Sequence, residues 1–245
     1  MKRIAEDGYR EFSALTGTVR FGRVYPGAVT EKLQTGDIFT GGRAVLIWHR
    51  CGFAWLLGEY NEAELNELFA LKESAGRRLV LFTGDENAVH YFETKGISAG
   101  RRLFFEYSGD AEVGAVIPEG YSVREMDREL FGRLEGRVAP RLFWEDAEQF
   151  LQIGTGFCLM KNGEPAAWAF TASADKREAD IGVETAVEHR GRGLAYAAAR
   201  LTANEVIRSG RSPVWACDGS NEASRRLAVR LGFEKTAESF IIKLV

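Results

Sequence analysis

Only three cysteines occur in 245 residues, and Cys51, Cys158 and Cys217 lie far apart. Their odd number and wide spacing exclude a disulfide framework and a zinc-type ligand pattern, which points to a reducing cytoplasm and no bound metal. No apolar run approaches the roughly 18 residues that span a bilayer. The N-terminal MKRIAEDGYR has charges with no apolar segment behind them, so no secretory signal is expected. Positive charge is not in excess either. The chain has 32 Lys+Arg against 35 Asp+Glu, a net charge of −3, which argues against a nucleic-acid binder working through bulk charge. The expectation is a soluble cytoplasmic protein with neither membrane nor nucleic acid as partner. Two phosphate signatures are also missing, since neither G-x-x-x-x-G-K-[ST] nor a complete G-x-G-x-x-G is present.

What is present begins with an apolar share of 45%, enough for a sizeable core. The length fits one large domain or two small ones. After a mixed start, GDIFTGG, RAVLIW and GFAWLLG read as strands of a meander, and NEAELNELFALKES as a helix with Leu65, Leu68 and Leu71 at helical spacing. A strand, a short helix and another strand follow. Periodicity fades over residues 108–123, where Gly and Pro return, so the expected domains are 1–117 and 118–245. The second half reads β-α-α-β-β-β-α-β-α-β, with an Asn162-Gly163 hairpin turn and a long helix from Gly191 to Ser209. The two halves echo one another. RRLVLFT…FETKGI…RRLFFEY and SPVWACD…LAVRLGF…ESFIIKL both run strand, helix ending near Gly, strand. A decayed repeat and two unrelated α/β modules both account for that echo.

The stretch TAVEHRGRGLAYAAARL, residues 185–201, sets two glycines and two arginines before an alanine-rich helix. A helix start carries N–H groups without internal partners and the positive end of the macrodipole. Glycine there removes the Cβ atoms that would keep a phosphate off the backbone. Arg190 and Arg192 can fork onto phosphate oxygens. An anion site suited to pyrophosphate follows from these residues; a plain tight turn is the alternative, and the four residues alone leave both open.

Arg190–Ala195, RGRGLA, resembles the [Q/R]-x-x-G-x-[G/A] motif of the GNAT N-acetyltransferase superfamily. Three longer runs, in order, resemble a two-part branch of it related to the zwittermicin A resistance acetyltransferase: WEDAEQFLQIGTGFC, ETAVEHRGRGLA and WACDGSNEASRRLAVRLGF. The likeness is strong over about residues 119–245 and loose before. It implies a GNAT fold, an α/β (α+β) mixed central sheet flanked by helices, with a smaller N-terminal α/β domain, a degenerate GNAT-like repeat on one reading.

The resemblance further implies acetyl-CoA as co-substrate and an acetyl transfer to a primary amine of a small cationic molecule by direct attack in a ternary complex. A non-catalytic acyl-CoA-binding module is the alternative. Resistance to an antibiotic, and a monomeric or homodimeric state, are open. Backbone groups near Val183 and Thr185 would pair with the pantetheine arm, and the Thr185 amide would polarise the acetyl carbonyl. Arg190, Gly191, Arg192, Gly193, Leu194 and Ala195 would hold the pyrophosphate, and Asn221 and Ser224 would face the cofactor arm. On a regular strand Asp180, Gly182 and Glu184 share a face. Gly182 would then leave a seat for an ammonium between two carboxylates, with Glu184 as base or anchor and Asp180 second. The tyrosine that many members use to protonate the thiolate is Ala228 here, and Ser224, Cys217 or Tyr196 are the substitutes. Cys217, His189, Trp144, Trp168 and Trp215 otherwise read as core or surface residues, with Trp144 also placed to line an acceptor cleft.

Overall fold

A computed structural model of the protein describes residues 1–109 and 114–244. Within the break expected at 108–123, residues 110–113 lie outside the described residues. In chain order the first set of elements is β1 (Lys2–Arg3), α1 (Ser13–Thr16), α2 (Val24–Thr30), β2 (Gly36–Gly41), β3 (Arg43–His49), β4 (Phe53–Glu59), α3 (Glu62–Ala75), β5 (Leu79–Thr83), α4 (Glu86–Thr94) and β6 (Gly100–Tyr107). The second set is β7 (Ser122–Glu125), α5 (Arg128–Arg133), α6 (Ala147–Ile153), β8 (Gly156–Lys161), β9 (Glu164–Ala174), β10 (Glu178–Thr185), α7 (Leu194–Arg208), β11 (Ser212–Asp218), α8 (Glu222–Leu231) and β12 (Phe233–Leu244). The second set repeats the first, element for element.

Contacts group the chain into two compact units, Met1–Leu103 with Asp218–Ser220 and Ala237–Val245, and Phe104–Cys217 with Asn221–Thr236. In the first unit the strand order is β1-β2-β3-β4-β5-β12; in the second it is β6-β11-β10-β9-β8-β7. Each row therefore ends in the last strand of the other set. Both are mixed: β4 with β5 and β10 with β11 are parallel, while β2-β3-β4 and β7-β8-β9-β10 run antiparallel.

In the first unit one face of the sheet buries Leu46, Trp48, Leu56 and Leu81 with Leu65 and Leu68 of α3 and Phe92 of α4. The other face packs Val45 and Ile47 with Tyr9 and Val29. The expected leucine stripe of α3 is thus its buried side. In the second unit α7 lies against β8, β9 and β10. Its Ala197, Ala198 and Ala199 are fully buried, because small side chains let a helix approach a sheet closely. The Thr202 hydroxyl donates to the Ala169 carbonyl of β9 at 3.1 Å. Arg200, also buried, donates to the Tyr107 hydroxyl at 2.8 Å and to the Leu231 carbonyl at 2.7 Å. The second bond sets a cation at the C-terminal end of α8, the favourable end of its dipole. The hairpin β8–β9 turns at Asn162 and Gly163, both at positive φ (52° and 83°), the conformation a two-residue hairpin loop requires.

His49 is fully buried at the end of β3. Its Nδ1 accepts the Cys51 N–H at 3.1 Å, so that nitrogen must carry no proton. Burial, reinforced by Arg77 and Arg50, pushes its pKa down to about 3. An unfolded chain protonates histidine near 6.5, so below that pH the unfolded state binds a proton that the folded state refuses. Stability therefore falls as pH drops from about 6.5 toward 3, by about 1.4 kcal/mol per unit. His49→Asn keeps an acceptor for Cys51 and does not titrate. In urea denaturation at pH 7 and pH 5, the wild type should lose about 2 kcal/mol more than this variant; equal losses would remove His49 as the cause.

Candidate active site

The site is built where two parallel strands part. β10 pairs with β11 only over Glu178–Asp180 against Ser212–Val214, and β10 then runs on to Thr185 while keeping its ladder with β9. Beyond Asp180 the β11-facing edge of β10, which includes Val183 and Thr185, has no strand partner among the described residues. The ladder to β9 ends with Ala186 N–H donating to Ala166 at 2.9 Å.

The chain passes directly from Thr185 into the glycine-arginine stretch. The helix begins later than its periodicity suggests, at Leu194 rather than Gly191, and Gly193 is its N-cap. The reason is local. Gly191 and Gly193 both adopt left-handed backbone, φ 76° and 79°, which ends regular structure before Leu194 and which residues with a Cβ adopt at a cost. Among the described residues no side chain caps α7, and, chain neighbours aside, no atom lies within 4 Å of where a Cβ would project from Gly191 or Gly193. The mouth is open, and its first-turn N–H groups suit a pyrophosphate. Arg190 Nε donates back to the Thr185 carbonyl at 3.3 Å. Arg192 donates to the Tyr121 hydroxyl at 3.3 Å and to the Glu188 carbonyl at 3.4 Å. Tyr121 in turn sits 3.0 Å from His189 Nδ1, so His189 belongs to the loop's support. Leu194 is buried and Ala195 half-buried at the foot of the helix.

Glu184 is half-buried, and its Oε2 accepts the Val138 N–H at 2.7 Å. The ammonium seat expected between Asp180 and Glu184 is not formed. At Gly182 an added Cβ would meet Val138 Cγ1 at 3.0 Å and the Phe170 ring at 3.2 Å, so Val138 and Phe170 fill the space. The strand pair is also irregular: Asp180 faces Ser173 but Ile181 faces Thr171, leaving Ala172 as a bulge that adds twist. Asp180 is only 4% exposed, a different environment from that of Glu184.

On α8, Asn221 caps the helix by accepting the Ser224 N–H at 3.1 Å, and the Ser224 hydroxyl oxygen accepts the Trp215 indole N–H at 3.1 Å. That leaves the Ser224 proton available as a donor. Ala228 is fully buried, and so is Cys217. Tyr196 lies under the Arg230 guanidinium, 4.5 Å from its ring centroid. Trp144 donates to the Thr171 carbonyl at 2.7 Å and is buried, so it anchors the core. Val138, Gly136, Tyr121 and Trp168 enter the site without any signal in spacing or periodicity, since each is remote in sequence from the residue it supports.

The first unit holds the same local geometry, closed. β4 pairs with β5 only from Phe53↔Val80 to Trp55↔Phe82 and runs on to Glu59. Tyr60 follows directly after β4, and burial, with Thr83 and Asp85 acting on it, pushes its phenol up to about 12. The start of α3 is sealed by a capping box: Asn61 Oδ1 accepts the Ala63 N–H at 2.7 Å, and Glu64 Oε2 accepts the Asn61 N–H at 2.8 Å. With Glu62 beside Glu64 in the first turn, this mouth repels anions.

A mixed sheet flanked by helices, with a parting parallel strand pair that feeds a helix mouth, is the GNAT fold. The protein of Streptococcus suis described as GCN5-related N-acetyltransferase-like has it, with a TM-score of 0.71 at 22% identity over 97% of this chain and 98% of that one. A tandem GNAT protein from the clavulanic acid biosynthesis pathway superposes with a TM-score of 0.64 at 16% identity, over 99% and 97%. In sequence, the uncharacterized N-acetyltransferase YdfB of Bacillus subtilis is 22% identical over 223 residues, 87% of this chain and 84% of that protein. The GNAT acetyltransferase family model matches residues 11–240. The chain belongs to the GNAT acetyltransferase family.

An open mouth in one unit and a sealed one in the other predict a single acetyl-CoA site per chain. Calorimetric titration should give a stoichiometry near one for the wild type and no binding for Gly193→Glu, which sets a carboxylate in the mouth. Two sites, or one site surviving in folded Gly193→Glu protein, would assign binding elsewhere.

Proposed function

We propose that the protein moves an acetyl group from acetyl-CoA to a primary amine of a small cationic molecule, by direct attack in a ternary complex. The observation that carries this reading is the uncapped, glycine-bounded start of α7 continuing directly from a strand edge left without a partner. Arg190 to Ala195 hold the pyrophosphate. The β10 edge at Val183 and Thr185 takes the pantetheine arm, with the Thr185 N–H aimed at the acetyl carbonyl, where a fixed donor stabilises the developing oxyanion. Asn221 and Ser224 border the arm. The co-substrate supplies an activated acyl group whose thiolate leaves.

An alkylammonium has no lone pair and is mostly protonated at neutral pH, so Glu184 removes its proton. The free amine attacks the carbonyl carbon, the C–S bond breaks, and the second nitrogen proton goes to the departing sulfur. The products are an amide, CoA thiol and one proton for solvent. With alanine at position 228, the Ser224 hydroxyl relays that last proton, giving its own to the sulfur and taking the nitrogen proton in return, and Asp180 is a secondary carboxylate. In chain order the acetyltransferase domain is read as 118–245 and 1–117 as a degenerate GNAT-like repeat, a reading supported by the identical element order and the sealed mouth, although the compact units group Phe104–Cys217 with Asn221–Thr236 and give Ala237–Val245 to the first unit. The resemblance to the zwittermicin A resistance branch supports an amino-sugar, polyamine or amino-acid-like acceptor, and an antibiotic among these, in the cytoplasm. Ala228 favours one other reading, a GNAT module that binds acyl-CoA without turnover.

Incubation with acetyl-CoA and an amine panel of spermidine, glucosamine and lysine, read by mass spectrometry, separates the two readings: a product heavier by one acetyl group supports the enzyme, and a silent panel with intact acetyl-CoA binding supports the module. Glu184→Gln keeps shape and removes the base. Its kcat/KM for the active amine should fall by about 10²–10⁴, less at high pH, where free amine is abundant, with acetyl-CoA affinity unchanged. Near-full activity of Glu184→Gln with loss in Asp180→Asn would move the base to Asp180.

A further inference from the structure

Glu184 on β10 and Trp168 on β9 are direct cross-strand partners. Their side chains converge on the main chain of one loop residue. Val138 N–H donates to Glu184 Oε2 at 2.7 Å, and the Trp168 indole N–H donates to the Val138 carbonyl at 2.8 Å. The loop can come down on the carboxylate only because residue 136 is glycine. Gly136 has φ 150°, and a Cβ there would lie 2.5 Å from Glu184 Oε2. Trp168 is 5% exposed, so its ring is fixed by packing and its N–H has one direction to point. Among the described residues no group is bonded to Oε1 of Glu184.

We propose that Trp168 is a positioning residue for Glu184, acting through the main chain of Val138. The inference rests on the reading of Glu184 as the base. Without the indole N–H, the Val138 carbonyl loses its tether, the loop is free to lift, and the N–H that orients Oε2 goes with it. A carboxylate held by a charge-assisted bond keeps one oxygen fixed and presents Oε1 in a set direction to an incoming ammonium. Displacing a catalytic group by about 1 Å can cost on the order of 100-fold.

Trp168→Phe keeps an aromatic ring in the packing and deletes only the donor. With the fastest of spermidine, glucosamine and lysine as acceptor, its kcat should fall by about ten- to a hundredfold, while acetyl-CoA affinity stays within about twofold. In a Glu184→Gln background the same substitution should change kcat by less than about threefold, because a residue that acts through Glu184 has nothing left to position. A purely structural role would give the same loss in both backgrounds. Gly136→Ala approaches from an exposed loop and should reproduce the kcat loss with unchanged acetyl-CoA affinity, which keeps the test open if Trp168→Phe does not fold. Full kcat in folded Trp168→Phe, equal losses in both backgrounds, or full kcat in Gly136→Ala, each with Glu184→Gln impaired, would overturn the proposal alone. Near-full activity of Glu184→Gln would overturn the base reading beneath it.

Discussion

A strand that leaves its neighbour exposes backbone N–H and C=O groups, and such groups need partners. That constraint shapes both units of this protein, because in each a parallel pair ends after three residues while one strand continues. In the first unit the chain closes the neighbouring helix start itself: Asn61 Oδ1 accepts the Ala63 N–H, and Glu64 Oε2 accepts the Asn61 N–H. In the second unit Ala186 stands where Tyr60 follows the first unit's strand, and Gly193 takes the N-cap position that Asn61 holds there. Among the described residues no side chain caps the mouth of α7. One topology therefore gives a self-satisfied fold in one unit and a receptive edge in the other, and side-chain chemistry at a few positions decides between them.

The receptive edge is held rigid from outside. Arg190 is bonded to the Thr185 carbonyl, Arg192 to Tyr121 and Glu188, and Tyr121 to His189, so the arginines that frame the mouth are oriented by protein groups. Below it, buried alanines of α7 and the Thr202 bond to β9 fix the helix on the sheet. On the strand itself Glu184 is fixed by main chain rather than by a second charge. A neutral N–H restrains a carboxylate without neutralising it, which leaves the negative charge available for a cationic partner. The same loop carries Val138 into the space beside Gly182, so the apolar packing and the hydrogen bond come from one residue.

Much of this was legible in the sequence. The leucine stripe of α3, the Asn162-Gly163 turn, the order of the second ten elements and the glycine-arginine mouth all follow from local rules, since periodicity, turn chemistry and capping act over a few residues. Helix α7 starts three residues later than its periodicity implies because two left-handed glycines extend the loop, and glycine by its composition does not announce which φ it takes. The seat between Asp180 and Glu184 failed for a tertiary reason: Val138, more than forty positions away, fills the gap that Gly182 leaves.

The sequence by itself determined most elements from β2 onward, the family resemblance and the candidate anion site, because each is written in neighbouring residues, whereas β1, α1 and α2 had no such local pattern. Only the tertiary structure decided that β5 is completed by β12 and β11 by β6, that the first unit's mouth is sealed while the second's is open, and that Val138 is bonded to both Glu184 and Trp168. Those outcomes depend on hydrogen bonds and packing between residues far apart in the chain, whose pairing no local pattern encodes.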